Sequence, residues 1–307
     1  MAGSDSVEID GRRLRVSNLD KVLYPGDGFT KHDVITHYIA VSQALLPQLA
    51  GRPATRKRWP DGVQAAAGAF FEKNVPRGTP SWVRIVELDS PGSTRNRERV
   101  TYPVVDSLAT LVWLANLAAL ELHVPQWRVG PRGGVRQPDR LVVDLDPGAP
   151  AGLAECAEVA TLVRDRLGAD AFTTVAVTSG SKGLQLYAPT AGTQDSAVVR
   201  DYMRGIAQEL AGAHRGLVVA RMDKSVRAGK VFIDWSQNDS AKTTIAPYSL
   251  RGRDRPWAAT PRTWAEVEDA GSLRQVLAAD LPDRLADLGD LTAALAGDSE
   301  DGPRIPG

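Results

Sequence analysis

The sequence predicts an α/β (α+β) fold with helices packed against β-sheets, and three observations carry that prediction. The run Leu141-Val142-Val143-Asp144-Leu145-Asp146-Pro147-Gly148 is a Val-rich apolar segment closed by Pro-Gly, which reads as a strand. Between residues 140 and 235 the segments follow the order β-α-β-β-α-β-β, close to a split βαβ arrangement with helices on one face of a sheet. The hydrophobic fraction is 43%, enough for a sizeable core. No run approaches the ~18 apolar residues of a membrane helix, and the N-terminus lacks a signal-peptide pattern. The single cysteine, Cys156, excludes an internal disulfide framework and fits a reducing cytoplasm.

Val7–Val16 reads as a hairpin turning at Asp10-Gly11. Lys21 and Tyr24-Pro25-Gly26 follow in a loop. Thr30 and Asp33 form a capping-box pattern, and Val34, Ile35, Tyr38, Ile39, Val41, Leu45 and Leu46 give one helical face ending near Pro47. Arg52–Pro60 is a basic patch containing Trp59; by itself it reads as a solvated loop. Phe70-Phe71 is an adjacent aromatic pair, one of which a strand would bury. Trp82–Leu88 and Val100–Val105 are strand-like and flank a cation-rich stretch, Thr94–Arg99, that reads as a mobile projecting loop. Leu108–Leu122 reads as a buried helix delivering His123, and Gly130–Pro138 as a connector without a core.

Gly152–Leu167 and Ala197–Ala213 are helical patterns, with Cys156 as core filler in the first. Phe172–Val177, Leu184–Ala188, Leu217–Ala220 and Val231–Trp235 are strands, and Asp280–Leu295 is an acidic helical tail. The formal net charge is zero but unevenly spread. Residues 1–260 carry 33 Lys and Arg against 27 Asp and Glu, and residues 261–307 carry 4 against 10. A basic body of this kind suits a phosphate-bearing partner.

The chemistry gathers on the acids. Alternation along a strand points Asp144 and Asp146 to one face, roughly 6–7 Å apart. Asp234 lies inside the apolar Val231-Phe232-Ile233-Asp234-Trp235, where an unpaired carboxylate is costly. Three such acids across a sheet would hold two divalent ions, Mg²⁺ or Mn²⁺, able to activate a hydroxyl and neutralise a triphosphate. Ser179-Gly180-Ser181-Lys182-Gly183, between two strands, is a phosphate cradle without P-loop spacing. Lys224, Arg227, Lys230, Lys242 and Arg251 bracket the Asp234 strand, completing a phosphoryl-transfer pattern.

Asp144-Leu145-Asp146, Ser179–Gly183 and Val231–Trp235 resemble the three motifs of the archaeo-eukaryotic primase superfamily, above all the polymerase/primase domain of bacterial ATP-dependent DNA ligase D and its stand-alone relatives. Lys21–Pro25, Arg52–Pro60, Phe70–Lys73, His123–Trp127, Asp234–Asn238 and Lys242–Arg253 resemble the same branch. The resemblance implies a bilobal core with an RRM-like β-sheet palm. The implied division is an N-terminal lobe at about 1–139, a palm at 140–260, an acidic C-terminal segment at 261–296 and a frayed tail at 297–307. It implies a DNA-directed nucleotidyltransferase that fills gaps or extends ends in non-homologous end joining or related repair, favouring ribonucleotides. Asp144, Asp146 and Asp234 would be the catalytic metal ligands for two Mn²⁺ or Mg²⁺ ions. His123, Ser179, Lys182, Gln185, Gln237 and Arg251 would bind the nucleotide. Lys21, Lys31 and Lys57 would bind a 5′-phosphate, Phe70 and Phe71 would stack on template bases, and Arg227 would meet template or primer. The implied partners are DNA with gaps, 3′ overhangs or 5′-phosphorylated ends, NTPs and dNTPs, a DNA ligase and a Ku-type end-binding protein. The implied location is the bacterial cytoplasm at the nucleoid, with no membrane partner.

One position departs from the superfamily pattern Ser-Gly-x-Lys-Gly-Leu-His: its histidine is Gln185 here. A neutral amide supplies no charge to a triphosphate. The alternative is therefore a DNA-end-binding module with weak or lost catalysis; a metal phosphohydrolase using the same acids is a third possibility.

Overall fold

The computed structural model describes residues 4–89, 99–297 and 302–306. The N-terminal hairpin pairs Ser4–Ile9 with Arg12–Ser17, as the Asp10-Gly11 turn predicts. Helix α1 (Lys31–Ala40) starts with the expected capping box, in which the Thr30 side chain accepts from the Asp33 N–H and Asp33 accepts from the Thr30 N–H. The predicted single helix is divided at Val41, so α2 (Ser42–Leu49) carries Pro47 inside it. Strands β1 (Thr55–Arg58) and β2 (Phe70–Glu72) come next, then α3 (Leu108–Asn116) and β3 (Ala119–Val124). The long apolar run is thus helix and then strand. Ala118, at φ 58°, breaks the helix, and the run continues as a buried central strand with Leu120, Leu122 and Val124 on one face and Ala119, Glu121 and His123 on the other. Trp127–Val129 and Val135–Pro138 pair as a hairpin where the sequence suggested only a connector; Val129 packs there with Val86 and Val104. Of the stretch expected to project as a loop, residues 94–98 lie outside the described residues, and Arg99 opens the strand Arg99–Pro103.

The palm follows the predicted order: β4 (Arg140–Pro147), α4 (Leu153–Ala169), β5 (Val175–Thr178), β6 (Leu184–Pro189), α5 (Ser196–Ala213), β7 (Val218–Val219) and β8 (Val231–Asp234). With β10 (Thr260–Arg262) these strands make a six-stranded sheet in the order β7-β8-β4-β6-β5-β10, antiparallel except for β7 and β8. Leu141, Val143 and Leu145 point to one face and are buried with Val159 and Val163 of α4 and Met203 and Ile206 of α5. Both helices therefore cover the same face. Cys156 is buried among them as a free thiol. The other face of β4 carries Val142, Asp144 and Asp146 and is left for the site.

The lobe boundary differs from the expected division at residue 260. Strand β9 (Thr244–Ile245) pairs with β3, in a second sheet ordered β9-β3-β1-β2. Ala246, Tyr248, Leu250, Ala258, Ala278 and Leu281 are buried in the core of the N-terminal lobe with Leu45, Leu111 and Leu122. The acidic segment is helical at Leu281–Leu288. Residues 302–306 are not frayed: Ile305 is buried, and its N–H donates to Gln194 Oε1 at 2.7 Å. Among the described residues no helix is long and apolar enough to cross a membrane.

Candidate active site

Register builds the acid cluster. Asp144 on β4 is the cross-strand partner of Asp234 on β8 and, on its other side, of Gln185 on β6. One ligand oxygen from each of Asp144, Asp146 and Asp234 lies within 4.8 Å of the others. Carboxylates this close repel one another. Burial, reinforced by Asp146, pushes the Asp144 carboxyl up to about 7, and Asp146 is raised by burial and by Asp234. An all-oxygen donor set under mutual repulsion fits a hard divalent cation such as Mg²⁺ or Mn²⁺. The ligands are themselves held. Ser236 donates to Asp234 Oδ1 through N–H (3.1 Å) and Oγ (2.6 Å), and Gln237 Nε2 donates to Oδ2 at 2.9 Å. Asn238 clamps the same turn onto β4, accepting from the Val142 N–H at 2.9 Å and donating to its carbonyl at 2.7 Å.

Above the acids opens a cleft of about 390 Å³ lined by His123, Ser179, Lys182, Gln185, Gln237, Arg227 and Arg251, so every residue expected to meet the nucleotide reaches it. The cradle is shaped by two glycines. A Cβ on Gly183 would stand 2.0 Å from the Leu145 carbonyl oxygen, and one on Gly180 (φ 65°) would stand 2.5 Å from Arg251 Cγ. Only glycine lets the turn lie against the catalytic strand and Arg251. Gln275 braces it, accepting from the Gly180 N–H at 2.7 Å and donating to the Gly183 carbonyl at 3.1 Å. The Nε groups of Arg227 and Arg251 are buried with no partner among the described residues. Orphaned guanidinium donors in a cleft suit an anionic ligand.

Gln185 is occupied at both ends. Its Nε2 donates to Asp144 Oδ1 at 3.0 Å, and its Oε1 accepts from Tyr187 Oη at 2.9 Å. Tyr187 Oη also lies 3.0 Å from the Ile245 carbonyl, on the other sheet. Gln185 thus steadies Asp144, a role that its place in the motif did not suggest.

Of the proposed DNA residues, Arg227 lines the cleft and the others lie outside its lining. Lys31 is buried, its Nζ donating to the Ser17 carbonyl; burial, then neighbouring Lys21 and Arg58, lower its pKa. Lys21 pairs with Asp61 at 2.7 Å. Lys57 lies over the Trp59 ring at 5.1 Å. Phe70 and Phe71 are 44% and 53% exposed, although a strand was expected to bury one; β2 is the sheet's edge, and both its faces are open there. Phe71 meets the His123 ring edge-on at 6.1 Å, joining the aromatic pair to the cleft. Arg253, Thr243 and Thr244 also line the cleft; they lie in the Lys242–Arg253 segment but were not singled out individually. Glu121 was missed because its segment reads as helix.

A family model for the LigD primase-polymerase domain matches residues 30–292. The chain belongs to this family. It is 47% identical over 300 residues to the multifunctional non-homologous end joining protein LigD of Mycobacterium bovis, covering 96% of this chain. It is 32% identical over 261 residues to the bifunctional non-homologous end joining protein LigD of Bacillus subtilis, covering 84% of this chain. The chain spans only 38% and 40% of the lengths of these LigD relatives. A solved structure of the polymerase domain from Mycobacterium tuberculosis ligase D in complex with DNA superposes with a TM-score of 0.87 at 46% identity, covering 95% of this chain and 99% of that one. The LigD polymerase fold therefore extends over essentially all of the chain.

Proposed function

We propose that this chain is a DNA-directed nucleotidyltransferase that fills gaps or extends ends in bacterial non-homologous end joining, working at the nucleoid beside a DNA ligase and a Ku-type protein. The observation that carries the reading is an acid triad, two of whose members, Asp144 and Asp146, line a cleft that also presents Lys182, Arg227 and Arg251. Cation ligands below and anion donors above match a nucleoside triphosphate, with ribonucleotides favoured over deoxyribonucleotides.

Asp144, Asp146 and Asp234 would hold the two ions, Mn²⁺ or Mg²⁺. When bound, such ions lower the pKa of a 3′-hydroxyl and offset charge on the triphosphate. The chain's own residues do the rest. The Ser179–Gly183 turn and Lys182 receive phosphate oxygens, and Arg251, which lines the cleft, offers its guanidinium. Ser236 and Gln237 keep both oxygens of Asp234 oriented. Phe70 and Phe71 offer exposed faces on which unpaired template bases stack, a contact worth about 1–3 kcal/mol per base. Lys21, Lys31 and Lys57 take the 5′-phosphate across a gap, and Arg227 contacts template or primer. The end-binding alternative loses ground because the site is assembled with Gln185 in place: the amide supports Asp144.

Primer extension on a gapped duplex with Mn²⁺ tests the reading. Incorporation is expected with both nucleotide classes, faster with ribonucleotides, and about tenfold weaker DNA binding when the 5′-phosphate is removed. Tight gap binding with no incorporation under either metal would leave only the end-binding role.

A further inference from the structure

Glu121 has no part in the mechanism above, yet it stands where the proposed subsites meet. It lies on β3 and is 2% exposed. Its Oε2 accepts from His123 Nε2 at 2.8 Å and lies 3.5 Å from Arg251 Nη1 and 4.0 Å from Lys57 Nζ. Its Oε1 accepts the Gly252 N–H at 3.0 Å. Burial alone would raise the carboxyl, but His123, Arg251 and Lys57 together bring it down to about 2. One buried carboxylate therefore compensates three groups, two from the nucleotide cleft and one from the DNA side.

The three contacts are unequal. Lys57 is the longest and, at 36% exposed, the one able to turn outward. Arg251 is fixed on several sides: Tyr24 Oη donates to its carbonyl at 2.8 Å, and Trp59 fills the space beside Gly252, where a Cβ would come within 2.2 Å of the ring. Arg251 meets Glu121 through Nη1, yet its side chain still lines the cleft. Holding Glu121 and holding a phosphate are then compatible.

We propose that Glu121 is a positioning residue that couples DNA engagement to nucleotide binding. When a DNA phosphate draws Lys57 away, the carboxylate closes on Arg251 and His123 and fixes them for the incoming triphosphate. This rests on the functional reading above, in which the cleft takes the nucleotide and Lys57 meets the 5′-phosphate. The physical basis is that a buried carboxylate must stay compensated, so losing one cation strengthens its hold on the others. Linkage makes the effect reciprocal.

The test measures nucleotide KM and kcat on gapped duplexes with and without a 5′-phosphate. In the unmodified protein the 5′-phosphate is expected to lower nucleotide KM by about fivefold. Glu121→Gln keeps the shape and the Gly252 contact, so it should still incorporate nucleotide but lose that dependence, the two KM values agreeing within about twofold. Lys57→Met should change nucleotide KM in the unmodified background and not in Glu121→Gln. A merely structural role for Glu121 would lower kcat and leave the ratio of the two KM values alone; a ratio that persists in Glu121→Gln overturns the proposal. If Glu121→Gln does not fold, Lys57→Met decides, and an unchanged nucleotide KM in that variant overturns the coupling. An unmodified protein that incorporates nucleotide on both duplexes with equal KM refutes the coupling alone, whereas one that incorporates nothing refutes the functional reading itself.

Discussion

Two carboxylate sites adjoin the cleft, the Asp144–Asp146–Asp234 triad and the buried Glu121 that contacts His123 and Arg251, and they are compensated in opposite ways. In the palm, Asp144, Asp146 and Asp234 crowd together, the side chains that hydrogen-bond to Asp144 and Asp234 (Gln185, Ser236 and Gln237) are neutral, and the carboxyl of Asp144 is pushed up. In the N-terminal lobe, Glu121 stands alone among Lys57, His123 and Arg251, and its carboxyl is pulled down to about 2. Residue type does not decide which is which; the neighbours do. The under-compensated cluster is built to receive a cation. The over-compensated one keeps positive charge in place until an anion arrives.

The strongest way to break this contrast is to remove a palm acid. Asp144→Ala or Asp234→Ala should cost about 10³-fold or more in incorporation under Mn²⁺, with DNA affinity kept within about twofold. Retained extension in either variant would show that the triad is not the metal site.

A smaller effect sharpens the comparison through pH. Metal binds the ionised triad, so Mn²⁺ affinity should climb by up to about tenfold per pH unit below about 7, where Asp144 still carries its proton, and level off above it. Gln185→Leu removes a donor that favours the ionised form, so the same curve should move to higher pH. Calorimetric titration between pH 5.5 and 8.5 reads both; a flat profile would mean that the acids do not titrate as a repelling group.

The smallest effect concerns stability, with opposite signs at the two clusters. Glu121 is depressed below the usual 4.5, so its contribution is complete above about 4.5 and disappears as pH falls toward 2. The advantage of the unmodified protein over Glu121→Gln in denaturant unfolding should therefore shrink by on the order of 2–3 kcal/mol from pH 5 to pH 2. Without metal at pH 8, Asp146→Asn should instead stabilise the protein by about 1 kcal/mol, because it relieves repulsion. A loss of stability in that variant would contradict the repulsive reading of the triad.

Most of the palm was legible because both of its periodicities are clean. The alternation of β4 separates Leu141, Val143 and Leu145 from Asp144 and Asp146, and the two helices carry well-separated apolar faces. Asp234 stood out as an acid among Val231, Phe232 and Ile233. The N-terminal lobe was harder. In Leu108–Val124 only Thr110, Asn116, Glu121 and His123 interrupt an apolar run, so a helix and the central strand after it look alike, and Glu121 was hidden in the helical reading. The support given by Gln275 and Tyr187 was not legible either, since it comes from residues far apart in sequence that only the fold brings to the cradle and to Gln185. The place of β9 in the other sheet had the same cause: a two-residue strand has no period to read.

That short strand has a consequence for how the molecule can be taken apart. The chain leaves the N-terminal lobe near residue 139, builds most of the palm, returns to the first sheet at Thr244–Ile245, and comes back to the palm at Thr260–Arg262. A fragment ending at residue 139 would lack the partner of β3 and would expose the places filled by Tyr248, Leu250 and Leu281. The two lobes are therefore interlaced, and neither is a module that could be shuffled, truncated or inherited without the other. Unfolding is expected to be a single cooperative event, and evolution has had to move this pair of sheets as one piece.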